Sequence, residues 1–136
     1  MIGFDIIKFI DDTDKVSKAE TKAARYVLQK AGYAIRIAAA ASIEKSRSYS
    51  KPGEPPHTRK GQLAKSLWYS VEGSESVVIG PRESIVGSHM EIHEFGGTYE
   101  VRKGVMATYP ARPFMGPALE KNLDKIPAFW SAEIHN

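Results

Sequence analysis

The chain contains no cysteine, which excludes disulfide bonds, iron–sulfur clusters, thiolate zinc sites and a cysteine nucleophile. It also has no apolar run near the roughly 20 residues that a membrane-spanning helix needs. Residues 1–5 show neither the basic nor the apolar region of a signal peptide. We therefore expect a soluble intracellular protein that makes no contact with a membrane.

Common catalytic motifs are also absent. The sequence has no G-x-S-x-G turn, no P-loop, no G-x-G-x-x-G and no HExxH. His89 and His93 stand four residues apart and would share a helix face. A third metal ligand would have to be Glu91 or Glu94, whereas zinc sites need three or four ligands in a recognisable arrangement. We predict no catalytic residues, no metal and no cofactor; an enzyme whose site is assembled from distant residues is the remaining alternative.

What the sequence does contain is the composition of one globular domain. Its 136 residues are 42% hydrophobic and 26% charged, close to the globular average. A chain of this length forms a single domain, here 1–136, that can bury a core without covalent staples. Its 19 Lys and Arg against 16 Asp and Glu give a net charge of +3, which is small for a dedicated nucleic-acid binder.

A short strand and a long helix are predicted in the first third. Residues 2–10 are rich in β-formers. The acidic stretch 11–14 then supplies helix-start residues, and a helix of about 30 residues follows, ending near Ser46 and bent at Gly32. Such a helix would be about 45 Å long and would overhang a domain below roughly 40 Å across. A second copy could cover the overhang, so we expect an oligomer; the alternative is a helix that breaks at Gly32 and folds back.

The face of this helix that is expected to be buried is mostly alanine. Residues recurring at three- and four-residue steps define it: Val16, Ala19, Ala23, Val27, Ala31, Ala34, Ala38 and Ala41, with Ile35 and Ile37 beside them.

Short elements fill the rest of the chain. Proline and glycine predict a loop at 46–61 with polyproline character, and we treat 46–61 and 98–109 as flexible loops. The order of elements points to an α+β fold, in which a long N-terminal helix packs on a small, mostly antiparallel sheet of short strands, with a C-terminal helix. The predicted elements are a helical turn at 62–67, a hairpin of 68–72 with 77–80, a short helix at 89–95 stopped by Gly96 and Gly97, a hairpin of 99–102 with 105–109, and a helix entered at Pro113.

The loop region carries a concentration of positive charge. Between Lys45 and Lys65 the chain has six basic residues against a single acid, Glu54. Exposed positive charge of this kind suits non-specific contact with a phosphate backbone, while the simpler interpretation is a solvated loop. The candidate DNA-facing residues are Lys51, Arg59, Lys60 and Lys65.

Glu94 and Arg112 form a second pair of interest. Each lies beside an aromatic residue and a residue that turns or stiffens the chain, in Glu94-Phe95-Gly96 and Arg112-Pro113-Phe114. Because the backbone before a proline is restricted, Arg112 is well placed to present its guanidinium to a carboxylate. We hypothesise an ion pair that fixes the second hairpin against the C-terminal helix; the alternative is two unrelated surface charges.

Several motifs occur in a recognisable order. After the long helix come Pro55-Pro56-His57-Thr58-Arg59-Lys60-Gly61-Gln62-Leu63, a Val-Ile-Gly strand ending at Gly80, Ile92-His93-Glu94-Phe95-Gly96-Gly97-Thr98, and Pro110-Ala111-Arg112-Pro113-Phe114-Met115-Gly116-Pro117. This series resembles the tail-component family of tailed bacteriophages and prophages typified by gene product 10 of phage HK97. It is also similar to the virion morphogenesis proteins of Mu-like phages. The resemblance covers about residues 14–125.

The resemblance implies a structural virion protein at the head–tail junction: a neck, tail-completion or tail-terminator component that assembles into a ring. Its partners would be further copies of itself and other neck or tail proteins, with contact to passing DNA, in the virion and in the host cytoplasm during assembly. A small basic nucleic-acid-binding module that acts alone is the alternative. The residues that match the family motifs, implied to be structural or inter-subunit contacts, are Gly61, Leu63, Glu94, Phe95, Gly96, Arg112, Pro113 and Phe114.

Overall fold

A computed structural model describes residues 4–8, 18–86 and 91–134. The architecture is α+β, with the predicted long N-terminal helix, short antiparallel strands and C-terminal helix. The elements are β1 (Phe4–Lys8), α1 (Lys18–Ser42), α2 (Gln62–Ser66), β2 (Leu67–Glu72), β3 (Ser76–Pro81), α3 (Glu83–Val86), α4 (Glu91–Phe95), β4 (Gly97–Arg102), β5 (Val105–Tyr109), α5 (Met115–Asn122), a 3₁₀ turn (Leu123–Lys125) and α6 (Ile126–Ile134).

Helix α1 runs through Gly32 without a break, so the alternative of two helices folded back on each other is wrong. It has 25 residues instead of about 30, which makes it about 37 Å long. That length fits within the diameter expected of the domain, so the length of the helix no longer predicts an overhang. Ser17, which the sequence offers as the cap of this helix, lies outside the described residues.

The buried face of α1 differs from the alanine stripe that the sequence predicted. Ala41 and Ile37 are exposed, and Ala34 and Ala38 are only partly buried. The larger aliphatic side chains decide the face because each removes more apolar area from water than an alanine does. The buried apolar side chains of α1 are Val27, Leu28, Ala31, Ile35 and Ala39, and Ile43 directly after the helix is buried as well.

Helix α1 packs on strands β2 and β3 of a three-stranded sheet. Strands β2 and β3 make the predicted antiparallel hairpin, with Leu67 opposite Pro81 and Glu72 opposite Ser76. Strand β1 adds to the other edge of β3, also antiparallel. The inward residues Val77 and Ile79 are fully buried in one core with Leu28 and Ile35 of α1.

Gly32 explains how closely the helix approaches this sheet. A Cβ atom at this position would lie 2.7 Å from Cδ2 of Tyr69 and 2.9 Å from Cγ2 of Val77. Carbon atoms in ordinary van der Waals contact are about 3.5–4.0 Å apart. The glycine therefore serves the packing of helix on sheet, and it produces no break in the helix.

The C-terminal helices close the core on another side of α1. Helices α5 and α6 both pack against α1. Phe114 and Met115 at the start of α5 are almost fully buried, as is Ile126 at the start of α6, whereas Leu123 between the two helices is exposed. Among the described helices, none combines the length and the apolar character that crossing a membrane requires.

We predict that Gly32→Ala destabilises the protein by about 1 to 3 kcal/mol, the usual cost of overpacking a core. Helix propensity alone would favour alanine by about 1 kcal/mol, so the sign of the change reports on the contact with Tyr69 and Val77. Urea unfolding followed by circular dichroism measures it. Gln29→Ala, at an exposed position of the same helix, is the control and should be neutral or slightly stabilising. A stabilised Gly32→Ala variant would contradict the close approach.

Candidate interaction site

The carboxylate of Glu94 caps helix α5 from another element. Its Oε2 atom accepts hydrogen bonds from the backbone N–H groups of Phe114 and Met115, at 2.9 and 3.0 Å, and its Oε1 atom accepts one from Gly116 at 2.7 Å. Helix α5 has no side-chain cap of its own, because Phe114 occupies the N-cap position. The side chain of Glu94 is buried, with an exposed fraction of 9%, so these bonds satisfy N–H groups that water does not reach.

The ion pair hypothesised between Glu94 and Arg112 is wrong. Arg112 instead donates from Nε and Nη2 to the carbonyl oxygen of Ser50, both at 3.2 Å. Its backbone N–H donates to the carbonyl oxygen of His93 at 2.6 Å. Both oxygens of Glu94 are occupied by the start of α5, so backbone atoms hold each of the two charged side chains. The predicted connection between α4 and the C-terminal helix exists, but as a helix cap.

The loop at 46–58 is closed at its base and attached at its tip. Lys45 and Thr58 form an isolated parallel bridge, supported by Thr58 N–H to Glu44 O at 2.9 Å and Ser46 N–H to Thr58 O at 3.1 Å. At the tip, the N–H of Gly53 donates to Ala111 O at 2.8 Å. Loops with close ends form compact surface units. The absence of regular structure agrees with the sequence, whereas the closure and the attachment to 111–112 were not predicted.

Gly96 lets the end of α4 lie directly against the chain at 109–111. Its φ angle is 67°, and a Cβ atom there would lie 2.8 Å from both Tyr109 O and Ala111 N. A side chain at this position would therefore meet backbone atoms that cannot move independently. Glu94, Gly96 and Arg112 thus form one junction, which holds α4, the 46–58 loop and the start of α5 together.

From this junction the β4–β5 hairpin extends with little support. Its strands pair from Gly97 opposite Tyr109 to Arg102 opposite Val105, which confirms the predicted hairpin. Every residue of β4 is exposed, and the hairpin makes only slight contact with other described elements. Four apolar side chains on it are 36% to 60% exposed, namely Tyr99, Val101, Val105 and Met106.

An open groove lies beside the base of the hairpin, between β4 and α4. Its volume is about 780 Å³ and its walls include His93, Tyr99 and Tyr109. The rings of Tyr99 and Tyr109 are 5.3 Å apart between centroids. Phe95, at the end of α4, is 70% exposed. Apolar area in contiguous exposed patches is typical of contact surfaces.

A second exposed apolar surface lies on α1. Tyr26, Tyr33 and Ile37 follow helical spacing on the side turned away from the core, and all three are exposed. Lys30 lies over the ring of Tyr26 at 4.6 Å, and Arg36 over the ring of Tyr33 at 5.5 Å. We call these three residues and their two cationic neighbours the α1 surface.

The remaining residues singled out by sequence fall into two groups. Gly61 has a φ angle of 76° directly before α2, and Leu63 and Phe114 are buried, so these residues shape the core. Pro113 is partly buried next to them. The candidate DNA-facing residues are all exposed, and no hydrogen bond or ion pair joins one of these described side chains to another: Lys51, Arg59, Lys60 and Lys65.

His93 is a titratable residue of the junction, and its surroundings change its pKa. Burial, and secondly the nearby Arg112 guanidinium, lower the pKa of His93 from 6.5. Its ring contacts the ring of Tyr109 edge-on, with centroids 6.4 Å apart. Within residues 4–8, 18–86 and 91–134, no three His, Asp or Glu side chains are grouped so that they could hold a metal ion. His89, which the sequence offers as a second ligand beside His93, lies outside those ranges.

Comparisons of the chain with protein-family models, with curated proteins and with solved structures found no match.

We predict that Glu94→Gln lowers the free energy of unfolding by about 2 to 3 kcal/mol, because the buried charge is removed and one acceptor oxygen is replaced by an NH2 donor that faces an N–H group at the start of α5. Urea unfolding measures the change. Glu91→Gln removes the same charge from an exposed position of the same helix and should change stability by less than about 0.5 kcal/mol. Equal effects of the two substitutions would contradict the cap.

A second prediction concerns pH. Because the pKa of His93 is lower in the folded than in the unfolded state, the unfolded state binds the proton more readily, and stability is lost as the pH falls below about 6.5. His93→Gln should therefore flatten the decline in unfolding free energy between about pH 7 and about pH 5. Urea titrations of both proteins across this range measure it, and parallel pH profiles would contradict the assignment.

Proposed function

We propose that the protein is a structural virion component of a tailed phage or prophage that assembles into a ring at the head–tail junction, as a neck, tail-completion or tail-terminator protein. Two lines support the proposal. The ordered motifs resemble that class of protein over most of the chain. The fold supplies exposed contact surfaces, and the motif residues around Glu94 support one of them.

The observation that carries the proposal is the unsupported β4–β5 hairpin. A two-stranded hairpin alone is at best marginally stable in water. This one exposes the side chains of Tyr99, Val101, Val105 and Met106. A neighbouring subunit would remove these side chains from water and would provide packing that the other described elements supply only slightly. We propose that the hairpin is an inter-subunit arm.

A ring needs two different surfaces on each subunit, because a head-to-tail interface joins unlike patches. The hairpin is one patch, and the α1 surface is the other. We propose that the hairpin of one copy packs on the α1 surface of the next. The aromatic side chains of the α1 surface offer a large contact area and lose little side-chain entropy on binding. Lys30 and Arg36 lie at the rim of this surface.

We propose no enzymatic role for this protein. The alternative of a nucleic-acid-binding module makes a different prediction for DNA. A dedicated binder holds duplex DNA near physiological salt with a steep salt dependence, whereas a ring subunit with four scattered basic residues should bind weakly when it is free.

We predict that hairpin and helix variants complement each other. Val101→Glu with Met106→Glu should abolish self-association through the hairpin, and Tyr33→Glu with Ile37→Glu should abolish it through the α1 surface. An equimolar mixture should form a one-to-one dimer, because each variant keeps one intact surface. Light scattering coupled to size exclusion measures the masses, and electron microscopy shows whether the wild type forms rings.

Leu123→Glu is the control for this experiment, since Leu123 is an exposed residue that belongs to neither proposed surface. It should assemble like the wild type. A mixture that stays monomeric would contradict the head-to-tail pairing. In purified particles from the producing host, mass spectrometry should detect wild type and control but not the hairpin variant. Absence of the wild-type protein from the particles would contradict the virion role itself.

A further inference from the structure

A small cleft with basic walls lies where the 46–58 loop meets the junction. Its volume is about 90 Å³, roughly that of three water molecules in the liquid. The space accommodates one compact ionic group. Its basic lining residues come from three segments of the chain: Arg47, His57 and Arg59 from the loop region, His93 from α4, and Arg112 from the segment before α5.

The charge of this cleft is unbalanced. Its lining includes three arginines and two histidines but no aspartate or glutamate. The carboxylate of Glu44 lies outside this lining, with its Oε2 3.8 Å from Nε2 of His57, and its side chain is largely exposed. Arginine presents a fixed fork of donors that matches the oxygens of phosphate and carboxylate groups. The walls also carry hydroxyl groups, including those of Ser48 and Ser50.

Two polar atoms in the walls have no hydrogen-bond partner among the described residues. Oγ of Ser50 and Nδ1 of His93 are both buried and unpartnered. Ser50 is 94% buried, since its exposed fraction is 6%. A buried polar group without a partner costs about 1 to 3 kcal/mol. Arg112 donates through Nε and Nη2 to Ser50 O, so its Nη1 group is left without a bond to any described residue. These three groups thus have hydrogen-bonding capacity that the described residues do not use.

We propose that this cleft binds a single phosphate-type oxyanion. Its oxygens accept hydrogen bonds from Arg112 and from the exposed guanidinium groups of Arg47 and Arg59, which close on it from the rim. Because Ser50 Oγ and His93 Nδ1 are covered by the chain, they reach the anion after a small outward shift of the loop. The anion is either free phosphate or a phosphodiester of DNA. The proposal does not depend on ring assembly, and it can be tested on the monomer.

The experiment is a phosphate titration followed by NMR in a phosphate-free starting buffer, at constant ionic strength maintained with chloride. The wild type should show saturable shifts of backbone amides at 48–50 and 112. Arg47→Gln with Arg59→Gln should weaken phosphate binding about tenfold or more, because two charge-assisted contacts are lost. Both residues are exposed, so the fold should be retained, and circular dichroism checks this.

Arg102→Gln with Lys103→Gln is the matched control. It removes the same charge from exposed positions at the tip of the hairpin, about 15 Å along the strands from Tyr109. Phosphate binding should change less than about twofold, the effect expected of screened long-range charge. The proposal is overturned if the wild type shows no saturable shift, or if the cleft variant and the control bind phosphate equally well.

A second titration, with a short DNA duplex, distinguishes the two sources of the anion. If the cleft substitutions weaken DNA binding more than the control substitutions do, and the same amides shift, the site takes a phosphodiester. If free phosphate shifts these amides and DNA does not, the site takes a small anion. Both results support the oxyanion site. Neither requires the virion role, which is tested separately by particle composition and by the masses of the hairpin variants.

Discussion

The buried carboxylate of Glu94 is the constraint on which the other contacts depend. Helix α5 must begin inside the protein, because Phe114 and Met115 fill the core against α1. A helix start leaves N–H groups without intrahelical partners, and this one has no Ser, Thr, Asp or Asn at its N-cap position. Glu94 resolves the conflict by bringing a charged acceptor from α4. Its position then fixes where α4 ends, where Gly96 turns the chain and where the hairpin emerges.

Much of the fold could be predicted because local signals specify it. The turn at Gly73 between two runs of β-forming residues defines one hairpin, and residues 99–109 define the other. The face of α1 could not be read from spacing alone. Several registers of alanine fit the same periodicity, and the choice among them depends on where Leu28 and Ile35 meet the sheet. Gly32 shows the same limit, since a helix bend and a close approach to Tyr69 give the same sequence signal.

Three residues of the junction, Glu94, Gly96 and Arg112, could be singled out from the sequence, but their bonding could not. The two charged side chains bind backbone atoms and not each other. Spacing between charged residues cannot distinguish these outcomes, because carbonyl and amide groups occur at every position. One signal was available: the helix that follows Pro113-Phe114 has no capping residue before it, so its first N–H groups need an acceptor from elsewhere. Ser50 and Ala111 offered no such signal, since they take part only through their carbonyl oxygens.

The use of backbone partners has a consequence for how the molecule tolerates change. The tip of the 46–58 loop is attached by Gly53 N–H to Ala111 O, and its middle by Ser50 O to Arg112. Neither attachment involves a side chain of the loop. The outward-facing residues of this loop can therefore be exchanged while its attachments are retained, so the protein offers a frame that can present a surface of different charge or shape.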